Sequence, residues 1–188
     1  MSDDVLLFPH GQGVPPDLVA AVEALLFASG QVMRVEQLAA VLPEHPPRAI
    51  RAALEVLATR CSSDDRGLEL VEVAKGWQLR TDARFAGPVQ ELLAVKPTRL
   101  SRAALEVLAV VAWEQPATKA DVDHVRGVDS GATVRRLLEV GLLRVAGRRD
   151  VPGRPLEYRT TPAFLRLFSL PGLDSLPTLE DAEDLGDG

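Results

Sequence analysis

A mainly helical α+β chain that uses one helix-and-hairpin unit twice is what this sequence predicts, on three observations. Val22-Glu-Ala-Leu-Leu-Phe-Ala is echoed by Leu105-Glu-Val-Leu-Ala-Val-Val. Leu79-Arg-Thr-Asp-Ala-Arg-Phe85 aligns without a gap on Tyr158-Arg-Thr-Thr-Pro-Ala-Phe164. In both halves, helical spacing of apolar residues gives way to strand alternation in the same order. The expected units are residues 16–95 and 101–170, joined by a short proline-containing linker at 96–100. Residues 1–15 and the acidic, Pro- and Gly-rich tail 171–188 are expected to be disordered.

In the first unit, Pro15-Pro16-Asp17 opens a helix, proline being tolerated in a first turn. Leu18, Val22, Leu25 and Leu26 form its apolar stripe, and Ser29-Gly30 ends it. A second helix runs from about Val35 to Leu42 and stops at Pro43. Pro46-Pro47 opens a third, with Ile50, Leu54 and Leu57 on one face. After a loop from Cys61 to Gly67, Leu68, Leu70 and Val71 lead through the turn Ala74-Lys75-Gly76 to Trp77 and Leu79, which reads as a hairpin. Asp82 caps a closing helix whose face is Phe85, Val89, Leu92 and Leu93, expected to pack back on the unit.

The second unit repeats the order. Ser101 caps a helix through Leu105, Leu108 and Ala112, and Thr118-x-x-Asp121 reads as a capping box. Asp129-Ser130 starts a third helix with Val134, Leu137 and Leu138 inward, ended by Gly141. Leu142 to Arg148 and Glu157 to Thr160 form the second hairpin, and Thr161-Pro162 caps a last helix carrying Phe164, Leu165 and Phe168. Three helices followed by a hairpin is the winged-helix order, here in tandem.

Chemistry finds little foothold. His10, His45 and His124 fall in three different elements, without metal-ligand spacing and without a nucleophile beside them. Gly127-Val-Asp-Ser-Gly131 lies between helices and lacks the strand and lysine of a phosphate loop. The single cysteine, Cys61, has no partner for a disulfide. The reading is of a non-enzyme without metal or cofactor. The longest apolar runs are too short for a membrane span and the acidic start is no secretory signal, so a cytoplasmic protein is expected. A net charge of −6 disfavours long-range attraction to DNA.

Binding is the remaining role. The second wing concentrates Arg144, Arg148, Arg149, Arg154 and Arg159 against Asp150 and Glu157. Such a hairpin suits acidic side chains of a partner, or phosphates, or is a solvated hairpin with local pairs. The third helices offer few base-reading side chains, Arg135 and Arg136 being the best, so a DNA-binding transcriptional regulator is the alternative reading. Trp113 reads as core, Trp77 as either core or interface. Val19, Glu23 and Phe27 line a second flank of the first helix, which is either a dimer face or a wide stripe covered by the closing helix.

Glu23-Ala-Leu-Leu-Phe-Ala-Ser-Gly, Gly76-Trp-Gln-Leu-Arg-Thr, Leu100-Ser-Arg-Ala-Ala-Leu-Glu-Val-Leu-Ala and Val145-Ala-Gly-Arg-Arg-Asp-Val-Pro-Gly-Arg-Pro-Leu-Glu-Tyr-Arg-Thr-Thr-Pro resemble the segregation and condensation protein B family. The resemblance covers about Val19 to Leu170, and the Gly-Arg-Arg-Asp-Val-Pro-Gly-Arg-Pro stretch is its most specific part. It implies a cytoplasmic, nucleoid-associated adaptor. Such an adaptor dimerises through its first domain and binds the kleisin subunit that bridges an SMC ATPase, supporting chromosome condensation and segregation. By position, Arg148, Asp150, Pro152, Gly153, Arg154, Pro155 and Tyr158 fall in the family's second motif, and Arg80 and Thr81 in the first. The chain departs from the family pattern at Arg159, where glycine is frequent. With Trp77, Arg149 and Arg159, these give the candidate partner-binding set.

Overall fold

The structure is a computed structural model that describes residues 13–63, 65–94 and 100–177. It divides into two compact units, Met1–Lys96 and Pro97–Gly188, each built on its own core.

The first unit begins with helix α1 (Pro16–Ser29), whose end is set by Gly30 at φ 59°, a left-handed conformation suited to glycine. Helix α2 (Val35–Val41) follows after an extended stretch, its start fixed by Gln37 Oε1 accepting from Arg34 N at 2.9 Å. Helix α3 (Pro47–Cys61) carries the clearest apolar stripe, with Ile50, Ala53, Leu54 and Leu57 sealed from water. Strands β1 (Leu68–Val73) and β2 (Gly76–Thr81) pair antiparallel, with Leu68 opposite Thr81 and Val73 opposite Gly76. Their two-residue turn, Ala74-Lys75, has φ of 52° and 61°, the pair of positive values that matches the twist of a tight hairpin. Leu18, Val19, Val22 and Leu26 of α1 close the core against α2 and α3.

A 3-10 turn (Ala83–Phe85) and helix α4 (Ala86–Leu93) end this unit. Asp82 caps the turn, accepting from Arg84 N at 2.7 Å, as its position in the sequence requires. The expected packing of this segment does not occur. No residue of α4 is buried, and Leu92 and Leu93 are 83% and 62% exposed. Residues 13–15 were expected to be disordered, yet Val14 belongs to the first core, because an apolar residue ahead of a helix gains by packing on its first turns. Residues 1–12 of that segment, and 95–99 of the linker, lie outside the described residues.

The second unit runs α5 (Arg102–Glu114), β3 (Ala117–Thr118), α6 (Lys119–Arg126), α7 (Gly131–Glu139), β4 (Leu143–Arg148), β5 (Leu156–Thr160) and α8 (Pro162–Leu167). Ser101 caps α5 by accepting from Ala104 N, and Thr118 and Asp121 form the reciprocal capping box that opens α6. The sheet order is β3-β5-β4, with a register shift between Val145 and Gly147. The two-residue strand β3, too short to show a periodicity in the sequence, turns the hairpin into a three-stranded sheet. In both units three helices precede the hairpin, as a winged helix requires.

Three expectations change here. The α5 stripe is Ala104, Val107, Leu108, Val111 and Ala112, leaving Leu105 43% exposed, since a helix apolar on nearly every face has no periodicity to fix its inner side. Trp113, expected in the core, is 38% exposed, and its indole N–H donates to Pro177 O at 2.9 Å. The tail expected to be disordered from residue 171 is placed through Pro177: a 3-10 turn spans Leu173–Ser175, and Leu170 and Leu176 pack on the second core. Leu100, assigned to the linker, packs there too. Residues 178–188 lie outside the described residues.

Candidate functional site

The residues expected to bind fall into two sets, those that build the units and those that face outward. Val19 belongs to the first set. At 1% exposure it is enclosed in the first core and is not available as a dimer face, because the apolar stripe of α1 is wide enough to reach α2 and α3 on both flanks. Glu23 is half-buried, and Phe27, two turns beyond Val19, is 73% exposed. Burial pushes the thiol of Cys61 up from its ordinary range, and the carboxylate of Glu23 adds to the shift. That thiol is a packing group.

Around Phe27 and the closing segment the first unit leaves large apolar side chains in solvent: Phe27 on α1, Phe85 at 43% and Leu92 and Leu93 on α4. Phe85 is held beside Gly67 and stacks under the Arg84 guanidinium at 5.5 Å, while α4 finds no core to cover. The eight residues of α4 include Gly87-Pro88, which weaken it as a free-standing helix. An exposed, short amphipathic helix is stabilised mainly by what it packs on.

Trp77 is half-buried on the first core and joined to Met33 through two backbone hydrogen bonds of 2.8 Å. Its outer edge lines a polar hollow of about 240 Å³ with Glu36, Arg51, Glu55, Glu72 and Lys75. Arg80 donates to Glu69, its cross-strand neighbour, at 2.7 Å.

In the second wing the arginines divide in the same way. Arg149 Nε donates to Glu157 at 3.0 Å, its Nη atoms reach Asp121 at 2.9 and 3.2 Å, and Nη2 also donates to Pro116 O at 3.0 Å. This one side chain ties β5, the start of α6 and the strand before it together, and its bonds to Glu157 and Asp121 hold its pKa above the ordinary arginine value. Arg148 donates to Arg154 O at 2.9 Å, and Arg149 N to Pro155 O at 3.0 Å, closing the tip loop. Gly153 and Arg154, at φ 83° and 40°, set the reversal. Tyr158 is 8% exposed and fills the second core. Most of the motif therefore shapes the loop, and Asp150, Arg154 and Arg159 are the members left exposed. Arg135 and Arg136 are exposed on α7, Arg136 being paired with Glu139 at 3.2 Å.

An apolar groove of about 610 Å³ went unforeseen. It runs between the start of α5, α7 and α8, lined by Leu100, Ala104, Leu137, Val140, Leu142 and Leu167 among others. Exposed Val140 and Leu167 lie on its rim side of the α7 and α8 stripes. The signal was present in the sequence, since both helices carry one apolar residue more than a single inward stripe uses.

Among the described residues no group of three His, Cys, Asp or Glu side chains is placed to hold a metal ion, and no helix is long and apolar enough to cross a membrane.

Comparison with known proteins bears on these surfaces. The family model described as Segregation and condensation complex subunit ScpB matches residues 20–179. Segregation and condensation protein B of Syntrophotalea carbinolica is 48% identical over 169 residues, which cover 90% of this chain and 85% of that protein. A solved ScpB from Mycobacterium tuberculosis is 39% identical, covering 81% of this chain and 95% of its own, with a TM-score of 0.38. A solved dimer of an ScpB N-terminal domain complexed with ScpA peptide is 34% identical over 45% of this chain and 95% of its own, with a TM-score of 0.39. At those scores the superpositions carry no weight; the sequence matches do. By the extent of the family match and the identity to its members, the chain belongs to the segregation and condensation complex subunit ScpB family.

Proposed function

We propose that this chain is a non-catalytic, cytoplasmic adaptor that acts as a homodimer, binds the kleisin subunit of a bacterial SMC complex and so supports chromosome condensation and segregation. The observation that carries the reading is α4, an amphipathic helix whose Leu92 and Leu93 have nothing to pack on within their own unit. Together with Phe27 it supplies the apolar surface that a second copy covers. Sequence kinship with an N-terminal domain described as an ScpA-peptide-bound dimer, at 34% identity, supports both halves of the reading. The groove of the second unit suits an amphipathic helix of the kleisin, laid in by residues at helical spacing. Asp150 and Arg154, exposed at the wing tip, are polar contacts for the same partner.

Light scattering on the full chain, alone and with the kleisin, tests this. The dimer mass and a stable complex are expected, and Leu92→Ser with Leu93→Ser should halve the mass. Because both side chains are already in solvent, the double variant should change the stability of the monomer unit by no more than about 0.5 kcal/mol. A wild-type monomer that ignores the kleisin would defeat the proposal.

A further inference from the structure

The duplication supplies an internal control for the second wing. Arg80 and Arg159 occupy the same place in the gapless match between the two hairpins, and their cross-strand partners are Glu69 and Arg144. Flanking pairs agree in register, Leu68 with Thr81 matching Leu143 with Thr160, and Leu70 with Leu79 matching Val145 with Tyr158. The first wing thus presents a neutral pair, closed by the 2.7 Å contact of Arg80 with Glu69. The second presents two arginines directly opposite each other, both exposed.

Like charges placed opposite in a ladder destabilise the hairpin. Nothing in the unit relieves them. The other carboxylates in reach of the sheet are committed: Glu157, two residues from Arg159 on the same face, bonds Arg149, as does Asp121. Elsewhere in the unit Arg102, Arg126 and Arg136 each have a carboxylate partner, whereas Arg144 and Arg159 have no ion pair among the described residues. The face around the pair has no enclosing pocket of its own; the groove of this unit is lined by other elements.

We propose that the outward face of the second wing, through Arg144 and Arg159, is a sequence-independent contact for the phosphate backbone of duplex DNA. Two guanidiniums fixed side by side on a flat strand face need an anion that is everywhere along its length. A duplex offers one negative charge per about 1.7 Å of axis, so the pair finds phosphates in any register. Carboxylates of a polypeptide would have to match its spacing, and would need an apolar anchor beside them. Neither arginine is asked to read a base. The proposal goes beyond the adaptor reading and does not rest on it, since neither the dimer face nor the groove includes these residues.

The test is the fluorescence anisotropy of a labelled 40-base-pair duplex of arbitrary sequence, titrated with the full chain over a range of salt. Binding at 50 mM salt is expected, weakening roughly tenfold by 200 mM, as two phosphate contacts require. Arg144→Glu rebuilds the neutral pair of the first wing, so the variant should fold with an unchanged or higher melting temperature. It should bind at least about tenfold more weakly, with the salt slope reduced by about two. Arg102→Glu removes the same net charge from α5 and should bind as wild type. Absence of binding at 50 mM salt, equal binding by wild type and Arg144→Glu, or equal losses in the two variants would each overturn the proposal. So would binding of polyglutamate through Arg144 with the duplex ignored, which would assign the face to an acidic polypeptide. Light scattering on the same samples reads the dimer separately, so a failed DNA contact and a failed adaptor reading give different results.

Discussion

Gly76 opens β2 against the backbone of the stretch before α2. A Cβ there would stand 2.7 Å from Val32 Cγ1 and 2.9 Å from Met33 O, atoms with little freedom to retreat. Gly76→Ala is therefore expected to force apart the paired bonds between Met33 and Trp77, at a cost of about 1–3 kcal/mol. The check is urea unfolding, with a lower midpoint and an unchanged slope. At this scale the sequence was only half legible. Composition and motif identified Arg149, Tyr158 and Val19 as notable but not their destinations. All three turn inward, Arg149 to Asp121 and Glu157, Tyr158 and Val19 to their cores. A side chain's direction depends on neighbours distant in sequence, and Asp121 is 28 residues from Arg149.

Helices and hairpins were mostly legible, because caps, prolines and alternation are local. Thr118 with Asp121, Asp82, Ser101 and Thr161 each accept the backbone N–H that their position demands. The exception, α4, shows why: amphipathicity predicts a face and does not name what covers it. The loop after α6 carries a prediction of its own. Lys119 bonds Asp123 and Asp129, which raises the lysine's pKa and lowers both carboxylates'. Asp123 also accepts from Ser130 N at 2.7 Å, so this cluster fixes the start of α7. The depressed carboxylates contribute stability that is present above their ordinary pKa, about 4, and is lost as pH falls through the lower folded values. The raised lysine contributes below its ordinary value and loses that only at strongly alkaline pH. Asp123→Asn should lower the urea midpoint at pH 7 and flatten its fall toward pH 3, the two proteins converging in acid.

For the molecule as a whole, duplication was the legible feature, since matched segments in matched order need no knowledge of contacts. The two cores share no buried residue, one centred on Leu38, Ile50 and Leu54, the other on Leu108, Leu137 and Leu143. Leu108→Ala, at 1% exposure, should cost about 2–5 kcal/mol in the second unit. Hydrogen exchange is the check, with protection falling from α5 through α8 and persisting in α1 to α3. The chain also has one indole in each half, Trp77 half-buried on one core and Trp113 tied to Pro177 across 64 residues. Each half thus has its own built-in fluorophore. With Trp77 changed to Phe, the emission colour of Trp113 reports whether the segment reaching Pro177 is seated, and with Trp113 changed the glow of Trp77 follows the first wing alone. Two single-dye proteins would separate the optical histories of the halves without any label being attached.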